Sequence, residues 1–441
     1  MSSVSWIENG VTHSAEWHSE NGTPAPTRIV VIGDETATNT ALRLAKPSTA
    51  LLWRGDFQNA RNLMRAMDRR LQKRSDRTPP SSDPGALFRA HRKARADRAT
   101  ILGKILIALE PDYSIQLRRA PDVRDACAHA YGPHEAALPH RTDESGTARS
   151  TGGSDPAPHL GAPSDIGDPS DTGDPSDTGA PSDTNTHSHT GDPGGGGGVT
   201  LVSLAELIGV IGAYQWHMTG IEVPALGARL IPAYGVFAPT RDEYLDLVAQ
   251  APFPAGAERP VVFDIGTGTG VLAAMLAQRG AASVIATDIN QRAVACASEN
   301  MRQLGVADRV EVVAADLWPE SAQLADVIVC NPPWLPGTPT SDLELGIYDP
   351  SSDVLHRFLA GLAQRLTPGG EGWLILSDLA ELLGLRSREE LLTHISSAGL
   401  HVVGRLETAP RHSRAADAAD PLHEARSRER TVLWRLAPQP A

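Results

Sequence analysis

Cysteine, long apolar runs and, beyond residue 200, lysine are what this sequence has least of. Its 441 residues hold three cysteines, Cys127, Cys296 and Cys330, with neither a C-x-x-C pair nor metal-ligand spacing. So odd and scattered a set excludes a disulfide framework and predicts reduced thiols in a cytoplasmic protein. No uncharged apolar stretch approaches the roughly 18 residues that a membrane span needs, so no membrane association is expected. The opening MSSVSWIENGVTHSAEWH has no basic start and no apolar core, so no secretory signal is expected. Residues 200–441 carry 18 arginines, no lysine and 28 acids.

Charge is distributed unevenly around the net value of -13. Residues 1–150 hold 22 Lys and Arg against 17 acids, and Arg61–Arg98 alone holds 12 basic residues against 4 acidic ones. Such a run is either a solvated helix surface or a phosphate-binding face, which keeps nucleic-acid binding open. Residues 151–199 hold 8 Asp and no Lys or Arg.

The composition divides the chain. Residues 132–199 read as a disordered linker built on PSDIGD, PSDTGD and PSDTGA from Pro163 and ending in Gly194–Gly198. Pro, Gly, Ser and Asp offer almost no apolar surface to offset chain entropy. The hexads lack the periodic apolar residue of calcium-binding repeats, so they predict a spacer. Residues 1–131 read as a small α/β recognition domain. TRIVVIGD and STALLWRGD are predicted strands, FQNARNLMRAMDRRLQKR is a predicted helix, and ATILGKILIALEP a further core element. It holds no catalytic constellation and resembles a degenerate nucleotide-binding fold. Residues 200–441 read as the catalytic domain. LVSLAELIGVIGAYQW is a predicted helix and GIEVPALGARLIPAYGVFAP a hairpin or extended lead-in. Thr240 is placed to cap the next helix, with Glu243 completing a capping box.

From Pro260 strands and helices alternate, which predicts a parallel sheet with covered faces. PVVFDIGTGTG runs from a strand into a turn. Gly266, Gly268 and Gly270 allow tight turning and close approach to a ligand. The spacing is not the G-x-G-x-x-G of dinucleotide sites, since Val271 stands where the last glycine would be. That disfavours a nicotinamide oxidoreductase. Asp264 in the turn would repel a pyrophosphate but suits a cationic ligand. Asp288 ends the second strand, where a carboxylate can take both ribose hydroxyls, and Asp316 ends the third, placed to read an adenine edge. ADVIVCNPPW, a fourth strand, ends in Asn331, Pro332, Pro333 and Trp334. Asn331 and the Pro332 carbonyl can accept the two N–H bonds of an –NH2 group. The prolines stiffen the turn, and Trp334 offers a flat stacking face. The remaining segments complete the sheet. LELGIYDPSSDVLHRFLAGLAQRL is a predicted helix, PGG a turn and EGWLILSDLA a fifth strand. SREELLTHISSAG is a further helix, and LHVVGRLET and RERTVLWRL are the closing strands. His412 and His423 in the polar segment between these strands read as surface residues.

Residues from about 200 to 436 resemble class I S-adenosyl-L-methionine-dependent methyltransferases. More narrowly they resemble the small methyltransferase domain group, which includes release-factor and ribosomal-protein glutamine methyltransferases and two-domain ribosomal RNA guanine-N2 methyltransferases. DIGTGTG matches the cofactor loop, TDIN the ribose acid, AADLW the adenine loop and NPPW the [DN]-PP-[FYW] signature. The resemblance implies a Rossmann-like α/β fold with a mixed seven-stranded sheet whose last strand is antiparallel. It implies S-adenosyl-L-methionine as cofactor, with Asp264, Gly266, Thr267, Gly268, Gly270, Asp288, Ile289, Asp316, Leu317 and Asn331 around it. It also implies a macromolecular substrate from the translation machinery. The lead-in LIPAYGVFAPTRDEYLDLV and the acidic catalytic domain favour a protein glutamine; the two-domain layout and basic N-terminal segment favour ribosomal RNA. A noncatalytic binding protein on a decayed methyltransferase fold is the alternative.

Overall fold

The computed structural model describes residues 2–75, 83–133, 198–339, 343–411 and 413–440. The hexad repeats and nearly all of the expected linker lie outside them, as does His412.

The first sheet has six strands in the order β1-β2-β6-β5-β4-β3: β1 (Ser2–Glu8), β2 (Val11–Trp17), β3 (Arg28–Ile32), β4 (Thr49–Trp53), β5 (Ile105–Leu109) and β6 (Thr200–Ser203). Around it lie α1 (Thr38–Leu44), α2 (Phe57–Ser75), α3 (Pro84–Leu102), α4 (Arg124–Tyr131) and α5 (Leu204–Thr219). The β1–β2 hairpin escaped the sequence reading, although Asn9-Gly10 between alternating strands was a signal for it. Both residues have positive φ, 52° and 80°, as a tight hairpin turn demands. β4 shows why the sheet is covered on both faces. Leu51 and Trp53 join one core with Met67 and Ile107, while Ala50 and Leu52 join another with Val4, Trp6 and Trp17.

One boundary differs from the expectation. Thr200–Ser203 is not helical and does not open the second domain; it pairs antiparallel with β5 and parallel with β2. Leu201 and Val202 are fully buried on opposite faces of this sheet, so the strand after the linker closes the N-terminal core. The Ser203 hydroxyl then caps α5 at the Ala205 amide.

β7 (Ile221–Val223) and β8 (Ala228–Leu230) form the expected hairpin, and α6 (Glu243–Gln250) follows. The capping box at Thr240 does not form. α6 begins at Glu243 itself, whose carboxylate is buried against Arg241 and Thr431 and unavailable to a cap.

The second sheet is mixed and seven-stranded, in the order β11-β10-β9-β12-β13-β15-β14. It consists of β9 (Val261–Ile265), β10 (Ser283–Asp288), β11 (Val310–Ala314), β12 (Ala325–Cys330), β13 (Leu366–Ser377), β14 (Leu400–Thr408) and β15 (Thr431–Pro438). The first five run parallel, and β15 is antiparallel to both its neighbours. Helices α7 (Val271–Gln278), α8 (Gln291–Gln303), α9 (Asp353–Leu362), α10 (Leu379–Leu382), α11 (Arg388–Ser397), α12 (Ser413–Ala416) and α13 (His423–Arg426) complete it. α9 is shorter than the predicted helix because Pro350 precedes Ser351 and Ser352, whose positive φ angles break the helical path. The Pro-Gly-Gly predicted as a turn lies inside β13, where the pairing with β12 shifts register. His423 is half-buried in α13. None of the described helices is long and apolar enough to cross a membrane.

Candidate active site

β9 and β12 are hydrogen-bonded neighbours at the middle of the second sheet, with Cys330 in register with Ile265. Gly266 and Asn331 therefore leave the carboxyl edge from adjacent strands about 5 Å apart. That register brings the glycine turn and the Asn-Pro-Pro-Trp turn to one place.

The glycine turn is built by Asp264 and Thr267. Asp264 is fully buried; its Oδ2 accepts from the Thr267 hydroxyl at 2.6 Å and from the Ala273 amide at 3.0 Å. This carboxylate thus ties the strand end to the start of α7. Its Oδ1 is buried without a hydrogen-bond partner. Burial pushes the carboxyl up to about 7, Asp288 adds to the rise, and the two hydrogen bonds oppose it. Gly266, Gly268 and Gly270 all have positive φ. A side chain at Gly266 would meet nothing within 4 Å, whereas a Cβ at Gly270 would sit 2.6 Å from the Met301 methyl. The turn is thus open on one side and closely packed on the other.

Asp288 accepts the Gly268 amide at 2.9 Å and the Asn290 amide at 2.9 Å, fastening the second strand end to the turn. Ile289 beside it is 69% exposed. Leu317 adopts φ 68°, strained for a leucine, and its carbonyl accepts from the buried Thr287 hydroxyl at 2.7 Å. Asp316 is open to solvent, yet Arg357 from α9 holds it at 2.7 Å. The edge that was to read adenine therefore carries its own guanidinium.

The Asn-Pro-Pro-Trp turn is already engaged with itself. The Trp334 indole N–H donates to Asn331 Oδ1 at 2.8 Å. Pro332 is buried and Pro333 half-buried. Burial raises the Cys330 thiol well above its ordinary value, with Asp264 and Asp349 adding to the rise. That keeps it neutral.

The sequence reading missed what lies on the indole. The Arg241 guanidinium carbon stands 4.6 Å from the Trp334 ring centre. Arg241 donates to Glu243 Oε1 at 2.5 and 2.8 Å and to Glu429 Oε1 at 3.0 Å. Ser377 at the end of β13 donates to Glu429 at 2.5 Å, and Thr431 at the start of β15 donates to Glu243 at 3.4 Å. Both carboxylates are almost wholly buried. A helix start and two strand ends thus converge beside the NPPW turn. The one sequence signal was a charged triplet, Arg241–Glu243, placed just before an apolar helix.

The residues at the glycine turn fit a nucleoside-type ligand with a positive charge. They offer a buried carboxylate oxygen in need of a donor, an open glycine turn and an exposed apolar side chain beside a strand-end acid.

Known proteins resemble this chain in sequence. The family described as methyltransferase small domain matches residues 234–383. A release factor glutamine methyltransferase of Moorella thermoacetica is 34% identical over 198 residues, covering 40% of this chain and 69% of that protein. The chain belongs to the methyltransferase small domain family. The family is one of class I S-adenosyl-L-methionine-dependent enzymes. A release factor glutamine methyltransferase of Cereibacter sphaeroides is 36% identical over 152 residues, 34% of this chain. A tRNA1(Val) (adenine(37)-N6)-methyltransferase of Bacteroides fragilis is 32% identical over 157 residues, 31% of this chain and 66% of its own. This chain spans only 51% of the Cereibacter protein.

Proposed function

We propose that this chain moves a methyl group from S-adenosyl-L-methionine to the planar –NH2 of a macromolecule, a glutamine amide or an exocyclic base amine. The observation that carries the reading is the register of Cys330 with Ile265, because it sets the acceptor turn beside the glycine turn. In this reading Gly266, Thr267, Gly268 and Gly270 cradle the cofactor, and Asp264 Oδ1 faces its cationic end. Asp288 takes the ribose, and Ile289, Asp316 and Leu317 surround the adenine. The bound cofactor supplies an electrophilic methyl on a sulfonium.

Asn331 Oδ1 and the Pro332 carbonyl accept the two N–H bonds of the acceptor and aim the nitrogen lone pair. Substrate entry exchanges the Trp334 donor on Asn331 for a substrate donor, and the freed indole stacks on the planar group. The nitrogen would take the methyl carbon while the carbon–sulfur bonding pair stayed on the cofactor's sulfur. It then sheds a proton toward water. Positioning and electrostatic preorganisation supply the gain, so no strong base is required. Residues 1–131, completed by β6 and α5 after the linker, act as a recognition domain, and the residues from β7 onward act as the catalytic domain. Three free, buried thiols support a cytoplasmic setting.

The test uses full-length protein, methyl-labelled cofactor and a lysate depleted of endogenous methylation. Label incorporated into a macromolecule, and lost with Asn331→Ala, supports the reading. A protein that binds no cofactor would instead be a scaffold on a decayed fold.

A further inference from the structure

The paired helices α2 and α3 carry eleven Lys and Arg against two Asp, in a chain whose net charge is -13. We propose that these helices form a docking face for the phosphate backbone of RNA, so that the acceptor delivered to the NPPW turn is an RNA base. The inference rests on the methyl-transfer reading above and names its substrate class.

Three observations point the same way. First, the charge is available. Arg69, Lys73 and Arg74 on α2 are exposed, and no ion pair to a described residue engages them. On α3, Arg89 and Lys93 are exposed, in solvent-facing pairs with Asp83 at 3.5 Å and Asp97 at 2.6 Å. Such surface pairs are weak and exchange readily for a phosphate. The third acid near this face, Asp68, is taken by Arg98 at 2.9 Å.

Second, α3 is a wall of the acceptor mouth. Phe88 packs in one apolar cluster with Leu335, the residue after Trp334, and with Tyr348. The Arg92 guanidinium lies 3.3 Å from the Tyr348 ring centre and donates to the Thr338 carbonyl at 2.8 Å. The outer face of α3 is then one helix diameter, about 10 Å, from the segment that leaves the turn. A strand lying on that face can turn one base inward to Asn331.

Third, charge disfavours other placements. Residues 200–441 carry ten more acids than arginines, so the catalytic domain repels a phosphate backbone wherever the basic helices do not compensate. At the carboxyl edge of the first sheet, Arg118 and Arg119 are taken up by Asp34 and Asp56, both at 2.7 Å.

The experiment measures anisotropy of a fluorescein-labelled single-stranded RNA with full-length protein across salt, alongside cofactor titration by calorimetry. Five phosphate contacts on single-stranded RNA give a log–log salt slope of about -3.5, so affinity falls roughly 100-fold between about 50 and 200 mM salt. R69E/K73E/R74E is expected to lower affinity at least tenfold and to flatten the slope to about -1.4, the value for two remaining contacts. Its cofactor affinity and melting temperature should match wild type. R259E/R302E on the catalytic domain should bind RNA as wild type does.

Equal RNA affinity in the triple variant, equal loss in the catalytic-domain variant, or displacement of RNA by polyglutamate at matching charge would each overturn the proposal. So would methyl label that enters protein and is undiminished in the triple variant. If the cofactor itself fails to bind, the methyl-transfer reading fails. The RNA affinity and its salt slope still report on the basic face.

Discussion

Replacing Asn331 by alanine separates what the acceptor turn does for catalysis from what it does for the fold. In the structure Asn331 makes one side-chain hydrogen bond, from the Trp334 indole at 2.8 Å, and the indole is also held from above by Arg241. Losing that half-buried bond costs about 1 kcal/mol of stability. The glycine turn is fastened separately, through Asp264 and Asp288, so cofactor affinity should stay within about threefold. In the proposed mechanism the catalytic loss is larger, because Oδ1 accepts from the nucleophile and orients it. Removing a comparable preorganised polar contact typically costs about 10²–10³ in rate, or roughly 3–4 kcal/mol of barrier. The assay is single-turnover transfer of labelled methyl, with cofactor affinity measured by calorimetry on the same preparation. Full transfer by Asn331→Ala would refute the mechanism; loss of transfer together with cofactor binding would mean that Asn331 serves the cofactor site instead.

Five further outcomes are expected. Asp288→Ala removes the acceptor for the Gly268 and Asn290 amides and should weaken cofactor binding at least tenfold by calorimetry, with little change in secondary structure. Arg241→Ala leaves Glu243 and Glu429 buried without their guanidinium and should cost about 3–5 kcal/mol in urea unfolding, whereas Trp334→Phe keeps the stacking face and should retain activity. Gly270→Ala forces a Cβ into a left-handed conformation against Met301 and should cost about 1–3 kcal/mol, read as a lower melting temperature. The raised Asp264 carboxyl makes the folded state bind a proton that the unfolded state has already lost. Its contribution is therefore greatest in acid and falls as pH rises from about 4 to about 7. Comparing urea midpoints of wild type and Asp264→Asn across that range should show this slope only in wild type.

The legible parts of the fold and site were local. The parallel strands from Val261 to Cys330 were readable because each is a short apolar run closed by a turn residue or an acid. The first hairpin was equally local, marked by Asn9-Gly10 between two alternating strands. β6 was illegible in principle: TLVS is four residues long and runs straight into an apolar helix. Only its partners, β2 and β5, distinguish strand from helix there. Thr240 misled because a capping box is a local pattern, and the buried contacts of Glu243 with Arg241 and with Thr431, the latter 188 residues away, took precedence.

What the order of residues determined by itself was the chemistry available at each strand end. Glycines permit positive φ, prolines remove a rotation and a donor, and acids accept hydrogen bonds wherever the strand stops. Tertiary structure alone decided which of these groups meet. The pairing of β9 with β12 sets the two turns side by side, Arg241 covers Trp334, and α3 seats on Leu335 across some 250 residues of chain. Those contacts depend on sheet order and on burial shared between distant segments, and neither leaves a periodic trace in the sequence.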